Sequence, residues 1–292
     1  MFSDLERAAA VFRALGDSAR LRLLALCQRG EQSVSDLVAA TQLSQPRVSQ
    51  HLKVLAELGL LERFRDGQRI YYRESRQAHE TLTALAAILP TSTAFDADIE
   101  RLRESQSAEA APATGGDRAL NRAVLDCLMA RPVGRLLDIG AGEARMLSLL
   151  SGSAVAAIGV DTDRTTRHRA RRRLGMAGLA NCTIRPAAIE ALPFDAQSFD
   201  TVIVDDVLRQ TADPGAALAE AARVLAPDGI MLIIARDSRA DNDIELSKFI
   251  AAAAIAAGLR LSPGRQIAGG WRLATAIVAM PVAALQQRAQ GA

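Results

Sequence analysis

The sequence predicts two domains, a mainly helical N-terminal domain that ends in a β-hairpin and a C-terminal α/β domain with a parallel sheet. The 292 residues exceed the roughly 100–150 of a common single domain. Apolar residues recur at helical spacing in the first ninety residues, whereas strands alternate with helices further on. Between them, Glu104–Gly116 has the Ser, Ala, Pro and Gly content of a flexible connector. We therefore expect domains at 1–90 and 118–292, joined by a linker at 91–117.

The composition is that of a globular protein, with 49% apolar and 23% charged residues. No apolar run reaches the roughly 20 residues that would span a bilayer, and the N-terminus is acidic and amphipathic where a secretion signal would be basic and then apolar. We expect a soluble cytoplasmic protein without a membrane partner.

Cysteine content and net charge narrow the possible functions. The three cysteines lie far apart and form no Cys-x-x-Cys pair, so we interpret them as small buried apolar residues. The formal net charge of +2 argues against a chain that coats nucleic acid by bulk electrostatics. Any DNA binding must depend on a local basic patch.

Three helices are predicted before residue 42. An apolar stripe within Leu5–Leu15 indicates the first helix. Asp17 or Ser18 can cap a second helix, and Ser33 opens a third. The connections are short, so these helices should pack as neighbours.

A fourth helix follows a short turn at Thr41–Leu43. Ser44 can cap this helix, and Pro46 falls in its first turn, where a missing N–H costs nothing. Two helices joined by a turn of this length are typical of a helix-turn-helix.

The fourth helix has the properties of a DNA-recognition helix. Val48, Leu52 and Leu55 are spaced to face the core, which leaves polar side chains for other faces. Arginine can pair bidentately with guanine and glutamine with adenine, whereas serine and lysine can hold phosphates. The candidate contacts to the major groove are Gln45, Arg47, Ser49, Gln50 and Lys53.

A β-hairpin follows, with strands at Leu60–Phe64 and Gln68–Tyr72. They flank Arg65-Asp66-Gly67, which contains an Asp-Gly pair of the hairpin type. Arginines fringe this hairpin and can reach phosphates or the minor groove. They are Arg63, Arg65, Arg69 and Arg73, of which Arg65 and Arg69 are the preferred candidates. The required local basic patch is therefore present.

The segment from Ala14 to Tyr72, which includes Ser44-Gln45-Pro46-Arg47-Val48-Ser49-Gln50-His51-Leu52-Lys53, closely resembles the ArsR/SmtB family of bacterial repressors. The resemblance implies a winged helix-turn-helix, with the hairpin as its wing. It also implies a homodimer through Asp4–Leu15 and His79–Leu89. Such a dimer would bind a palindromic operator in double-stranded DNA.

The metal ligands of many such relatives are missing from this sequence. A Cys-Val-Cys run often opens the third helix of that family, but Ser33-Val34-Ser35 stands here, and hydroxyls are poor ligands for soft metals. His79 and Glu80 alone do not supply the family's second site, and we interpret His51 as part of the recognition helix. We expect no bound metal.

The C-terminal domain begins with a strand, a glycine turn and a helix within Gly134–Ala144. Gly140 and Gly142 would let the backbone approach a ligand closely. A glycine pattern alone is weak, but a second apolar strand, Ala156–Val160, ends at Asp161, whose carboxylate can bind ribose hydroxyls.

Later motifs follow in a recognisable order. They are Glu190-Ala191-Leu192-Pro193-Phe194, the strand Ser198–Asp206, and Ala226-Pro227-Asp228-Gly229 before the strand Ile230–Ala235. Together, residues 119–282 resemble a class I S-adenosylmethionine-dependent methyltransferase, which has a Rossmann-like fold. A nicotinamide-binding domain is the main rival for the first motif alone, but the Ala-Leu-Pro-Phe segment and the Pro-Asp-Gly turn favour the methyltransferase.

The resemblance implies a site for S-adenosylmethionine or S-adenosylhomocysteine. Its candidate residues are Asp138, Gly140, Gly142, Asp161, Ile189 and Asp205. The first three would cradle the methionine moiety, the fourth would hold ribose, the fifth would contact adenine, and the last would lie near the sulfonium. Alternatively, Gly142 only permits a tight turn, and Asp138, Asp205 or Asp206 only caps a helix.

The sequence departs from the family pattern at three positions. Ala187-Ala188 stands where an acidic residue often accepts from the adenine amino group, so we expect weaker adenine binding. Arg209-Gln210 replaces a His pair found in many small-molecule methyltransferases, and Ala144 replaces the third glycine of the loop.

A run of arginines follows Asp161 on a predicted helix. It comprises Arg164, Arg167, Arg169, Arg171, Arg172 and Arg173. Such a run is most often a solvated face, and the functional alternative is an additional DNA or subunit contact.

Three functional hypotheses follow. The first is a DNA-binding transcriptional regulator, a repressor, whose methyltransferase-like domain binds S-adenosylmethionine or S-adenosylhomocysteine as effector. The second is an active small-molecule methyltransferase with an attached DNA-binding domain. The third is a fold that has lost the cofactor and serves dimerisation or partner binding. The missing metal ligands, the absence of a recognisable acceptor lid and an aromatic content of 3% favour the first.

Overall fold

The computed structural model describes residues 4–86, 93–107, 115–129, 131–236, 243–262 and 264–278. Its helices are α1 (Asp4–Leu15), α2 (Ser18–Cys27), α3 (Val34–Thr41), α4 (Gln45–Glu57), α5 (His79–Ala86), α6 (Thr93–Ser107), α7 (Gly115–Leu128), α8 (Arg145–Leu150), α9 (Arg164–Ala177), α10 (Pro214–Val224) and α11 (Asp243–Ala256). Its strands are β1 (Gln32–Ser33), β2 (Leu61–Asp66), β3 (Arg69–Glu74), β4 (Gly134–Ile139), β5 (Ala154–Asp161), β6 (Cys182–Pro186), β7 (Phe199–Asp205), β8 (Leu225–Arg236), β9 (Leu259–Leu261), β10 (Arg265–Ile267) and β11 (Trp271–Val278).

The chain folds into two compact units, each built from two segments. The first contains residues 1–110 and 164–183, and the second contains 111–163 and 184–292. This division differs from the predicted domain boundaries, because α6 lies where the linker was expected and α9 lies within the predicted C-terminal domain. Both helices belong to the first unit.

The core of the first unit contains the inward stripe predicted for α4. Val48, Leu52 and Leu55 are fully buried and pack with apolar side chains of α2 and α3, including Leu23 and Leu37. Helix α4 is therefore fixed on its apolar side, and its polar side chains are left at the surface.

Side chains that cap the helices explain where two of them start. Asp17 accepts a hydrogen bond from the backbone N–H of Arg20 at 3.0 Å, and Ser33 accepts one from Asp36 at 3.2 Å. Ser44 occupies the N-cap position of α4, but its side chain makes no capping hydrogen bond.

The β2–β3 hairpin, which we call the wing, turns through two residues. Asp66 pairs with Arg69, so Gly67 and Gln68 form the turn, and Gly67 has a φ of 63°. The strands extend to Asp66 and back from Arg69, so the turn begins two residues later and ends one residue later than the predicted Arg65-Asp66-Gly67. Asp66 therefore belongs to the closing pair of the wing.

Helix α6 is tied to α2 by a buried carboxylate. Asp98, which is 1% exposed, accepts hydrogen bonds from Nε and Nη2 of Arg22 at 2.5 and 2.6 Å. Arg101 contacts the same carboxylate and donates to the carbonyl of Ala40 at 2.7 Å. These bonds explain why this part of the expected linker is an ordered helix.

Helix α9 joins the first unit through a buried ion-pair cluster centred on Asp66. Arg167 donates to both carboxylate oxygens of Asp66 at 2.8 and 2.6 Å, and Arg171 donates to one of them at 2.6 Å. Arg171 also donates to Glu31 at 2.8 Å and lies 4.4 Å above the ring centre of Tyr71. The arginine run is thus not a uniformly solvated face, because two of its members are buried.

The cluster strongly favours the ionised form of Asp66. Hydrogen bonds from Arg167 and then Arg171 lower the pKa of Asp66 to about 2, against the opposing effect of burial. An aspartate in an unfolded chain has a pKa of about 3.9. Asp66 therefore contributes stability above about pH 4, and this contribution is lost as the pH falls toward 2.

The second unit is built on a mostly parallel sheet. The strand order is β10-β11-β8-β7-β4-β5-β6, with β9 paired to β11. β4 lies parallel to β5 and β7, and β7 lies parallel to β8, whereas β11 is antiparallel to its three partners. Val202, Ile203 and Val204 are all fully buried, as expected of a central strand covered on both faces.

The strand order reverses direction at β4. Its two neighbours, β5 and β7, continue the chain toward opposite edges of the sheet. In open α/β sheets, a ligand site forms at such a switch point, outside the carboxyl ends of the strands. No helix among the described residues is long and apolar enough to cross a membrane.

We expect Arg171→Ala to lower the free energy of unfolding by roughly 3 kcal/mol, because it leaves two buried carboxylates short of a shared cation. Urea titration of the full chain, followed by far-UV circular dichroism, measures this loss. Arg47→Ala removes an exposed arginine of α4 in the same unit and should change stability by about 0.5 kcal/mol or less. Equal effects of the two substitutions would contradict a structural role for the cluster.

Candidate functional site

A cavity of about 350 Å³ lies at the switch point of the sheet. It is within the range of roughly 300–1,000 Å³ that is common for small-molecule sites. Its lining residues follow the carboxyl ends of the parallel strands. They are Ile139, Gly140, Gly142, Asp161, Thr162, Ala187, Ala188, Ile189, Glu190, Asp205, Asp206, Val207, Gln210 and Thr211.

The glycine loop after β4 is held against the end of β5. The backbone N–H of Gly140 donates to the carbonyl of Val160 at 2.9 Å. Asp161 accepts from the N–H of Gly142 at 3.1 Å and from that of Asp163 at 2.8 Å. Asp161 thus shapes the loop while its carboxylate lines the cavity.

Gly140 is required by both conformation and space. Its φ is 79°, and an added Cβ would collide with Cγ1 of Val207 and lie 2.6 Å from the carbonyl oxygen of Asp205. Gly142 also has a positive φ, of 51°, but its nearest neighbour would be 3.8 Å away. Ala144 has a φ of 61°, so an alanine here adopts a conformation that favours glycine.

Asp138 is a buried carboxyl group without a partner. It is 0% exposed, and neither carboxyl oxygen has a hydrogen-bond partner among the described residues. Burial, together with the nearby charge of Asp205, raises its pKa well above the usual value. Asp138 lies inside β4 and caps no helix, so that alternative is wrong.

Asp205 and Asp206 have different partners at the end of β7. Asp205 lies 3.3 Å from Nη2 of Arg145, and burial raises its pKa to about 6 although Arg145 opposes the shift. Asp206, with a φ of 56°, accepts from the backbone N–H of Arg236 at 2.9 Å. Neither carboxylate caps the following short helix, whose N-cap residue is Val207.

Arg145 links Asp205 to the single tryptophan of the sequence. Its guanidinium carbon lies 5.2 Å from the ring centre of Trp271, and that of Arg236 lies 5.1 Å from it. Arg145 also donates to Asn121 at 3.1 Å. These contacts hold Arg145 in place beside the carboxylate of Asp205.

Part of the cavity lining consists of the small side chains noted in the sequence. Ala187 and Ala188 line it, and Ile189 is buried beside them. Glu190 lines the cavity directly after Ile189 and supplies a carboxylate that the sequence prediction did not include. Because Glu190 directly follows the predicted contact Ile189, its position in the sequence could have indicated a place in the site.

Five of the six predicted ligand residues line the cavity, namely Gly140, Gly142, Asp161, Ile189 and Asp205. The sixth, Asp138, is buried one residue before the lining residue Ile139. Several lining residues were not predicted as ligand contacts. They are Thr162, Glu190, Val207, Gln210 and Thr211.

The predicted DNA contacts form a separate surface in the first unit. All of the polar candidates are exposed, on α4 and on the wing. They are Gln45, Arg47, Ser49, Gln50, Lys53, Arg65 and Arg69. Nζ of Lys53 lies 3.8 Å from Oε1 of Glu57, and both side chains are exposed.

The serines that replace thiols serve the start of α3. Ser33 lies 2.6 Å from Oδ2 of Asp36 and 2.9 Å from the hydroxyl of Ser35. No cluster of His, Cys, Asp and Glu side chains suited to a metal ion was found among the residues that the structure describes.

Two protein families match the two parts of the chain. Residues 17–63 match "Bacterial regulatory protein, arsR family", and residues 137–233 match "Methyltransferase domain". The probable mercury resistance operon repressor of Streptomyces lividans is 38% identical over 87 residues, which are 30% of this chain and 70% of that protein. The uncharacterized methyltransferase YcgJ of Bacillus subtilis is 30% identical over 162 residues, which are 56% of this chain and 60% of that protein.

A third relative has a name that indicates neither family. It is an uncharacterized 37.1 kDa protein in transposon TN4556 of Streptomyces fradiae, 35% identical over 123 residues. The matched residues are 41% of this chain, and they span 35% of that protein's length.

The structure and the family matches define the class of protein: a helix-turn-helix regulator domain joined to a class I methyltransferase domain. The chain belongs to the arsR family of bacterial regulatory proteins. The predicted resemblances and the predicted fold class are thereby confirmed.

We expect Gly140→Ala to destabilise the second unit by about 2 kcal/mol or more. Alanine is strained at a positive φ, and its methyl group would collide with Val207. Thermal unfolding followed by the fluorescence of Trp271 reports on this unit. Gly152→Ala is the matched control, since nothing lies within 4 Å of its added methyl group. If both substitutions lower the midpoint equally, the glycine loop is not constrained as described.

Proposed function

We propose that the chain is a transcriptional repressor whose methyltransferase domain binds S-adenosylmethionine or S-adenosylhomocysteine as an effector. One observation carries this proposal. The cavity has backbone and carboxylate groups suited to a nucleoside bearing an amino acid, but none of the described residues that line it is His, Cys, Lys or Tyr. The lining therefore supports binding of such a ligand.

The residues fit such a ligand part by part. Asp138 is a buried carboxyl group that lacks a partner, which suits the ammonium of the methionine moiety. Gly140 leaves no room for a side chain where the backbone meets the cavity, and Asp161 offers a carboxylate to ribose hydroxyls. Glu190 is placed to accept a hydrogen bond in the absence of an acid at Ala187 or Ala188.

The DNA-binding part of the proposal rests on α4 and the wing. Family membership supports DNA binding, and the exposed polar side chains include the Arg and Gln types that pair with guanine and adenine. Ser33 and Ser35 give the family's metal-binding position no thiolate, so the signal must come from elsewhere in the chain.

A homodimer on a palindromic operator is part of the same proposal. Leu5 and Phe12 of α1 are large apolar side chains that are 81% and 66% exposed. Burial of these two side chains by a second copy would remove their apolar surface from water. The predicted partner segment extends past α5 into residues 87–89, which lie outside the described residues.

Methyl transfer to a small molecule is the second candidate function, and Asp205 is the observation that favours it. With a pKa raised to about 6 by burial, this carboxylate could accept a proton from an acceptor near neutral pH. Its ion pair with Arg145 competes with that role.

Calorimetry of the full chain with S-adenosylmethionine and with S-adenosylhomocysteine tests the effector proposal. We expect binding of at least one ligand, and loss of that binding in Asp161→Ala but not in Asp228→Ala, an exposed acid outside the cavity lining. DNA affinity should change with bound ligand by a factor of about 5–150, as is typical of coupled sites. Binding of neither ligand would contradict the effector and enzyme hypotheses together, whereas turnover with a cell-extract acceptor would favour the enzyme.

Two arginine substitutions test the DNA-binding surface. Arg47→Ala should relax base preference, because it removes a bidentate contact to a base edge. Arg65→Ala should weaken binding to every sequence and reduce the salt dependence, because it removes a phosphate contact. Fluorescence anisotropy with a selected operator and a scrambled duplex measures both. If neither variant differs from Arg122→Ala, an exposed site on α7, the placement of the recognition helix is wrong.

A further inference from the structure

The arginines of α9 occupy two different environments. Arg167 and Arg171 are 5% and 1% exposed and neutralise Asp66 and Glu31. Arg164, at the first position of the same helix, is exposed. The run therefore contributes both a buried anchor and at least one cation at the surface.

The side chain of Arg164 lies against the turn of the wing. A methyl group added at Gly67 would collide with Cδ of Arg164 and lie 2.5 Å from its Nη1. Arg167 lies one turn after Arg164 on α9 and makes a bidentate pair of hydrogen bonds with Asp66. This pair fixes the start of the helix against the closing pair of the wing.

Three exposed guanidinium groups consequently surround one two-residue turn. Arg65 donates to the carbonyl of Gly67 at 2.7 Å, Arg69 is the partner of Asp66 in the closing pair, and Arg164 covers Gly67. None of the three forms an ion pair with a carboxylate within the parts of the chain that the structure describes. The acid at the same turn, Asp66, is already neutralised by the buried arginines.

We propose that Arg164 is a DNA-contacting residue, which binds a phosphate of the duplex beside the one reached by the wing. This proposal rests on the proposed DNA-binding function and extends its surface to a helix about one hundred residues further along the chain. Charge complementarity and continuity with Arg65 and Arg69 support duplex DNA as the partner. Because the cluster at Asp66 already orders α9, binding need not order the backbone that carries Arg164.

Substitutions that separate charge from packing test the proposal. Arg164→Met keeps much of the aliphatic packing against Gly67 and removes the charge, whereas Arg164→Lys keeps the charge. Arg122→Met makes the same change at an exposed site on α7. The full-length variants are titrated onto a 30-base-pair duplex of mixed sequence by fluorescence anisotropy at several salt concentrations, roughly 50–200 mM. Circular dichroism melting verifies that each variant is folded.

We expect Arg164→Met to weaken binding roughly five- to tenfold and to reduce the slope of log K against log salt by about 0.9 for each bound protomer. Arg164→Lys should retain most of the affinity, and Arg122→Met should change neither quantity. Equal behaviour of Arg164→Met and Arg122→Met would overturn the proposal while leaving the DNA-binding function intact. Absence of binding by the unsubstituted chain would overturn both.

Discussion

A carboxylate buried in the closing pair of a tight β-turn needs cations of its own, and this constraint organises the first unit. Asp66 obtains them from Arg167 and Arg171, which lie 101 and 105 residues further along the chain. Removing one partner of a buried ion pair leaves an uncompensated charge, at a cost of roughly 3–5 kcal/mol. A fragment of residues 1–110 would therefore contain Asp66 but neither Arg167 nor Arg171. Helix α9, from the middle of the sequence, supplies the cations that this unit needs.

The same cluster explains how a nearly neutral chain presents a basic surface. The net charge is +2, so the chain has almost as many acids as bases. Asp66 and Glu31 are buried against Arg167 and Arg171, which removes two negative charges from the neighbourhood of the wing. Arg65 and Arg69 remain exposed there. Local pairing, and not total charge, thus determines the sign of the potential at this surface.

The second unit contains a buried acid in the opposite situation. Asp66 has cations from its own chain, and its pKa is lowered to about 2. Asp138 has no hydrogen-bond partner among the residues that the structure describes, and its pKa is raised. Burial opposes ionisation of both carboxyls, and only Asp66 has arginine hydrogen bonds that outweigh it. A protonated Asp138 is neutral, and a cationic group beside it would favour ionisation. The strand order places this acid next to the cavity, because β4 is the strand at which the sheet reverses direction.

The features that the sequence predicted correctly depend on local patterns. The buried stripe Val48, Leu52 and Leu55 follows from helical spacing, and the placement of Gly140 and Asp161 at the cavity follows from the positions where two strands end. The features it did not predict depend on partners distant in sequence. Asp206 was expected as a possible helix cap, but it accepts from Arg236 thirty residues away. Likewise, nothing around Arg167 and Arg171 distinguishes them from the exposed Arg169, because the difference lies in Asp66 and Glu31. The helical spacing of charged residues does not show which face of a helix is buried when that face is buried against carboxylates and not against apolar side chains.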